Sequence, residues 1–227
     1  MNKRTIVFAP HPDDETLGCG GTIAKRISEA YDVLIVVMTD GRHAFYRSLG
    51  MNSNPSPEEL RLIRIEEMVR AAEILGVSEE NIILLNFEDG TLEKNSKEAE
   101  ERVTHIISET RPTEVFIPYE KDHHTDHRAT NRIVRGSIKR LGLPISEYQY
   151  SIYQKYSRIR PVIDKSLNFL RHNVVQVDIS DFLSVKERAI KEFKSEITMI
   201  SSKQTRPVLA DSTVKRHLKN KEMFYID

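Results

Sequence analysis

The sequence has no tryptophan and a single cysteine, Cys19. One thiol cannot form an internal disulfide, so nothing in the chain calls for an oxidising compartment. No window approaches 18 apolar residues, which excludes a transmembrane helix by composition. The apolar run after the basic start covers only residues 6–9 and meets Pro10, too short for a secretory signal core. A cytoplasmic protein without a membrane span is expected. Neither sign of charge is in excess: Lys plus Arg and Asp plus Glu are 34 each. A neutral chain without a basic-aromatic patch is a poor nucleic-acid binder. Glycine and proline number nine each, too few for a collagenous or low-complexity chain.

What remains is the profile of a soluble globular domain of 227 residues, 39% hydrophobic and 30% charged. A chain of this length hides roughly 70% of its unfolded surface. Apolar, β-branched runs at residues 5–9, 33–38, 81–85 and 114–118 suit central strands of a parallel sheet covered on both faces. Helical patterns fall between and after them, at 20–30, from Ser56 to Leu75, at 98–109 and at 126–141. Ser56 and Pro57 mark one helix start, and Gly76 its stop. Repeated strand–helix alternation predicts a single α/β domain, Rossmann-like, with a mostly parallel sheet and helices on both faces. Residues 1–142 form the core with the motifs, and 143–227 complete the fold. Residues 147–156 read as an edge strand or hairpin. Residues 174–179 alternate as a strand, and Ser180 is expected to cap a helix running from 181 to about 199. The tail from Lys203 has no clear pattern, and residues 42–57 form a long aperiodic loop at the end of strand two, where loops are often functional.

Two clusters carry chemistry. Pro10-His11-Pro12-Asp13-Asp14-Glu15 follows strand one, and Asp122-His123-His124-Thr125-Asp126-His127 follows strand four. In a doubly wound sheet both lie beyond the C-terminal strand ends, where ligands bind. Adjacent Asp13 and Asp14 must diverge, so one can hold a metal while the other faces its water. Alone, each cluster also reads as a polar turn, with Asp13 or Asp14 and Asp126 as helix caps. Together they offer imidazole and carboxylate to one point, and two His with one carboxylate is a common open metal site.

His11-Pro12-Asp13-Asp14-Glu15 followed by Gly18-Cys19-Gly20-Gly21 resembles the signature of the PIG-L/LmbE-like N-acetylglucosaminyl deacetylases. His124-Thr125-Asp126-His127 resembles the family's second motif, with Thr125 where Pro is usual. Met38-Thr39-Asp40-Gly41, Arg64-Ile65-Glu66-Glu67, Ala71-Ala72 and Leu75-Gly76 match in order, with a weaker echo at 177–180 and Lys186. The resemblance implies a zinc-dependent hydrolase that removes an acetyl group from an N-acetylglucosamine-containing substrate. It implies His11, Asp14 and His127 as ligands of one zinc, although the same set suits ferrous iron. It implies Asp13 as general base, His124 as second catalytic group oriented by Asp126, and Arg64 as a substrate contact. An imidazolium at His124 would offset charge on the oxyanion. The implied partner is a small N-acetylated sugar or glycoconjugate, and a homo-oligomer is compatible with the sequence.

Asp40 and Asp89 are turn signals first. At strand ends they can border the site, Asp40 by orienting a ligand. His43 sits in the aperiodic loop, where it can touch substrate. The glycines lack dinucleotide-binding spacing and suit a tight helix approach. Cys19 reads as a small buried side chain. Tyr148, Tyr150, Tyr153 and Tyr156 read as core packing before a sugar-stacking wall. His123 is expected to point away, and His105, His172 and His217 to be structural or exposed. The rivals are an amidase acting on a thiol-sugar or related conjugate, and a non-catalytic sugar-binding module.

Overall fold

The computed structural model describes residues 3–153 and 173–226, so Tyr156 and His172 lie outside the described residues. Seven strands form one sheet: β1 (Arg4–Ala9), β2 (Asp32–Thr39), β3 (Ile82–Phe87), β4 (Glu114–Pro118), β5 (Ser146–Tyr150), β6 (Asn173–Asp178) and β7 (Lys221–Ile226). Their spatial order is β3-β2-β1-β4-β5-β7-β6. The first five are parallel, and β7 is antiparallel to both neighbours. Helices α1 (Asp14–Ser28), α2 (Ala44–Leu49), α3 (Pro57–Leu75), α4 (Ser96–Thr110) and α5 (Thr125–Leu141) alternate with the parallel strands. After β6 come α6 (Leu183–Ile190), α7 (Lys194–Ile197) and α8 (Asp211–His217). None of the described helices is long and apolar enough to cross a membrane.

Alternate residues of β1 and β2 feed two separate cores, because a strand presents successive side chains to opposite faces. Val7, Ala9, Ile35 and Val37 pack with Leu17, Ile23, Met68 and Leu75 from α1 and α3. Ile6, Phe8, Val36 and Met38 pack with Val103, Ile107, Ile133 and Val134 from α4 and α5. The unbroken apolar runs are thus the mark of burial on both faces. The strand order reverses between β1 and β4, so the loops after these two strands diverge around one crevice.

The structure departs from the sequence reading in four places. Helix α1 begins at Asp14, not at Gly20, which puts three motif glycines inside it. Residues 146–150 lie inside the sheet, parallel to β4, because the unplaced tail returns as β7 and covers their free side. The helix expected from 181 to 199 is broken. The chain passes from a 3-10 turn into α6 and then α7, bending at Phe193, which is 1% exposed. The break buries Phe193 and turns Ser195 and Glu196 toward α3. Ser180 donates to Asp178 instead of capping. By contrast, α3 has the expected Ser56 cap with a reciprocal Glu59, and Gly76 ends it at φ 93°.

The glycines of α1 make room for the C-terminal part. A Cβ on Gly18 would lie 2.4 Å from the Tyr150 ring, and one on Gly21 2.3 Å from Ile179. Lys186 crosses Gly20 and donates to Leu17 O (2.8 Å) and to Glu222 (2.6 Å). Glu222 on β7 accepts from the Gly21 and Thr22 amides at 2.9 and 2.8 Å. Gly21→Ala therefore sets a helix-propensity gain of about 1 kcal/mol against overpacking of about 1–3 kcal/mol. With 2.3 Å available, overpacking should win, and urea unfolding should show a net loss of stability.

Candidate metal centre

The β1 loop turns sharply at Asp13, whose φ of 138° is rare for a residue with a side chain. Such backbone costs about 1–3 kcal/mol and persists only where neighbours impose it. Here Glu15, fully buried, accepts the Asp13 amide at 3.1 Å, and Arg64 donates to Pro12 O at 2.8 Å. Asp13 occupies the N-cap position of α1 but makes no capping bond with its side chain, so the cap reading does not account for it. On the β4 loop the N-cap of α5 is His124, not Asp126: His124 Nδ1 accepts the Asp126 amide at 3.2 Å.

These two turns bring the expected ligands together. Asp14 Oδ2 lies 3.0 Å from His11 Nδ1 and 3.2 Å from His127 Nε2. Donor atoms of His11, His124 and His127 also lie within 4.8 Å of one another, as do those of His11, Asp89, His124 and Asp126. His127 is fully buried, yet neither ring nitrogen has a well-formed hydrogen bond. Its Nδ1 faces Asp122 at 3.4 Å. A buried imidazole between two carboxylates, with orphaned nitrogens, fits a divalent cation held by His11, Asp14 and His127.

The electrostatics follow from burial. Desolvation would raise Asp14, but His127 and His11 hold it well below the usual carboxylate range. Desolvation would lower His127, but Asp14 and Asp122 raise it to about 9. His11 is likewise raised, against burial, by Asp89, Asp126 and Asp14. Burial and the charges of His11 and His127 push His124 down to about 3, so it is held neutral. In the metal-free protein these neighbours disfavour the expected imidazolium. Asp13 goes the other way from Asp14: burial raises it, Arg64 opposes, and Asp14 adds to the rise.

Several expected roles change on inspection. The Asp126 carboxylate does not orient the His124 ring. It accepts from the Gly90 and Leu92 amides at 2.6 and 3.3 Å and faces His11 Nε2 at 3.3 Å, so Asp126 orients His124 through its main chain. Arg64, expected on the substrate, is 3% exposed and lies against Asp13. It donates to Gly41 O and Pro12 O, each at 2.8 Å, and faces Asp13 at 3.2 Å. Asp40 binds Arg42 and the Asp89 amide, and the His43 amide donates to Asp89 while its ring faces Glu88. Both brace the loop that carries Asp89. Tyr150 is core, its hydroxyl on Phe8 O, and Tyr148 stacks on Phe116. Of the three described tyrosines Tyr148, Tyr150 and Tyr153, the last lies at the site, 41% exposed, with its ring 5.7 Å from His127. Cys19 is fully buried, and His105 and His123 are exposed.

Sequence reasoning gave no role to Asp122, Glu15, Arg47 or Glu196, and left Asp89 at the border. Asp89 is 4% exposed and 3.3 Å from His11 Nε2, a position announced only by its strand-end Asp-Gly pair. Arg47, on α2 within the aperiodic loop, lies against His124 Nε2 and 3.2 Å from Asp89, with no sequence signal at all.

A doubly wound α/β domain with a His/Asp cluster at its strand-order switch defines the class. Within it, a family model described as "PIG-L: GlcNAc-PI de-N-acetylase" matches residues 6–138, and the chain belongs to the PIG-L family. It is 32% identical over 202 residues to the diacetylchitobiose deacetylase of Thermococcus kodakarensis, covering 86% of this chain and 70% of that protein. It is 31% identical over 143 residues to a probable N-acetyl-alpha-D-glucosaminyl L-malate deacetylase 2 of Bacillus cereus, covering 62% of this chain and 63% of that one. The inhibitor-bound N,N'-diacetylchitobiose deacetylase from Pyrococcus horikoshii has the same fold, with a TM-score of 0.70 at 24% identity over 99% of this chain and 84% of that one.

Two outcomes follow for metal binding. Asp14 and Asp122 raise His127 to about 9, from an ordinary 6.5, so a metal bound through its ring would have to displace a proton below that pH. Apparent affinity should therefore rise across this window, by about ten-fold per pH unit for each proton released. The sign for stability is opposite. A raised histidine stabilises the metal-free fold fully below 6.5, and that stability should fade toward pH 9, as thermal melts in chelator would record. Separately, Asp122→Asn removes the carboxylate facing His127 Nδ1 and should weaken metal binding by roughly 10–100-fold, as read by competition with a chromogenic chelator.

Proposed function

We infer that this protein is a zinc-dependent N-deacetylase of an N-acetylglucosamine-containing substrate. One observation carries the reading: adjacent carboxylates are split, Asp14 between two imidazoles and Asp13 turned to Arg64. The first arrangement suits a metal ligand and the second a general base. Its relatives named as deacetylases of such sugars support the substrate class.

His11, Asp14 and His127 would hold the cation. A divalent metal there supplies Lewis-acid polarisation of an amide carbonyl and acidifies water to a pKa of about 7. Asp13 takes the proton from the attacking water. Its carboxyl, raised by burial, then returns the proton to the leaving amine. Neutral His124 accepts the Asp126 amide at Nδ1, which leaves Nε2 to donate a hydrogen bond to the developing oxyanion. For that, Arg47 has to leave His124 Nε2 when substrate enters. Tyr153, half-exposed beside His127, is the wall against which the sugar ring lies.

Acetate release from N-acetylglucosamine and N,N'-diacetylchitobiose tests the reading, with metal per chain determined on the same samples. Zinc-loaded protein should release acetate, and chelator should abolish it. Asp13→Asn should keep its metal and lose roughly 10²–10⁴ in kcat. An Asp13→Asn protein with full activity would remove the base assignment, and zinc-loaded wild type inert on every N-acetylated sugar would remove the reaction.

A further inference from the structure

Arg64 is held from two opposite sides. Its Nη atoms face the turns after β1 and β2, through Pro12 O, Gly41 O and the Asp13 carboxylate. Its Nε faces Glu196 Oε1 at 3.2 Å. Glu196 lies on the single turn of α7, in the part of the chain beyond residue 138 where the family match ends. It is 2% exposed. Its place is set independently: Glu67 on α3 accepts from the amide and hydroxyl of Ser195 at 2.8 and 2.5 Å, and the Leu209 amide binds Glu196 O at 2.8 Å.

This docking needs the main chain and Ser195, but not a carboxylate at 196. A buried carboxylate is expensive unless it is paired, and the cation facing this one is Arg64. A guanidinium is a planar fork whose Nη pair is aimed by Pro12 O and Gly41 O; Glu196, 3.2 Å from Nε without a well-formed hydrogen bond, supplies a buried counter-charge for it. Asp13 likewise presents one oxygen at 3.2 Å, so the two buried carboxylates share this one cation.

We propose that Glu196 is a positioning residue for the base Asp13, acting by balancing the buried guanidinium charge of Arg64 that the two carboxylates share. The inference rests on the reading of Asp13 as the base. It makes the broken helix at 190–194 part of the catalytic apparatus, because a continuous helix would not deliver residue 196 to Arg64. Placement of a base matters steeply, since a 1 Å error can cost about 100-fold in rate.

The test uses zinc-loaded full-length protein with Glu196→Gln, Glu196→Asp and Ser195→Ala, assayed on N,N'-diacetylchitobiose, with metal content and thermal midpoint measured for each. Glu196→Gln should lower kcat about ten-fold or more, leaving KM and metal content within about two-fold. Glu196→Asp should recover part of the loss. Ser195→Ala, which removes one of the bonds that place α7 but keeps the carboxylate at 196, should lower the thermal midpoint and cost clearly less kcat than Glu196→Gln. Unchanged kcat in Glu196→Gln, or an equal kcat loss in Ser195→Ala, would overturn the proposal and leave Glu196 a docking residue. A crystal structure of Glu196→Gln gives a readout that needs no turnover. Separation of Asp13 from Arg64 supports the inference, and an unmoved pair refutes it. If wild type releases no acetate, the assigned reaction fails, and this structure alone decides the role of Glu196.

Discussion

The structure depends on compensating buried negative charge at one crevice. Asp13, Asp14, Glu15, Asp89, Asp122 and Asp126 are all buried where β1, β3 and β4 end. Unpaired, such groups would neutralise or unfold the site. The fold answers each differently. Asp14 and Asp122 flank His127, Asp89 and Asp126 flank His11, Asp13 has Arg64, and Glu15 has a main-chain amide and the Thr16 hydroxyl. The two imidazoles can be cations only by holding protons that a metal would replace. The capacity to hold a metal and the response to pH thus rest on the same buried charges.

The same constraint explains why adjacent aspartates differ in proton affinity. Asp13 and Asp14 are both buried, and opposite neighbours drive their proton affinities apart. The turn between them forces the side chains to diverge, and Asp13 bears the backbone strain of that turn. The strain is sustained by Glu15 and by Arg64, so the α1 start, the β2 turn and α3 form one unit around Asp13.

The C-terminal quarter belongs to this unit as much as the motifs do. Lys186 and Glu222 fasten α6 and β7 to the glycines of α1. Ser195 and Glu196 fasten α7 to α3. Small residues at 18, 20 and 21 allow the first contact, and a helix broken at Phe193 allows the second. The pieces without recognisable motif hold the pieces that have one.

What the sequence by itself determined was everything carried by local pattern. Apolar runs gave the first four parallel strands, Ser56 and Gly76 the limits of α3, and two short motifs the meeting of the loops after β1 and β4, within which family resemblance singled out His11, Asp14 and His127. These were legible because strand period, capping chemistry and the loop rule for parallel sheets each act over a few residues. Only the tertiary structure decided the place of β7, the break before α7, the main-chain link from Asp126 to His124, and the partners Asp89, Asp122, Arg47 and Glu196. Each of these rests on contact between residues far apart in the chain, such as Arg64 with Glu196 or Gly21 with Glu222. Nothing local in the chain encodes such a contact, because the energy that selects it, compensation of buried charge, exists only once the elements have packed.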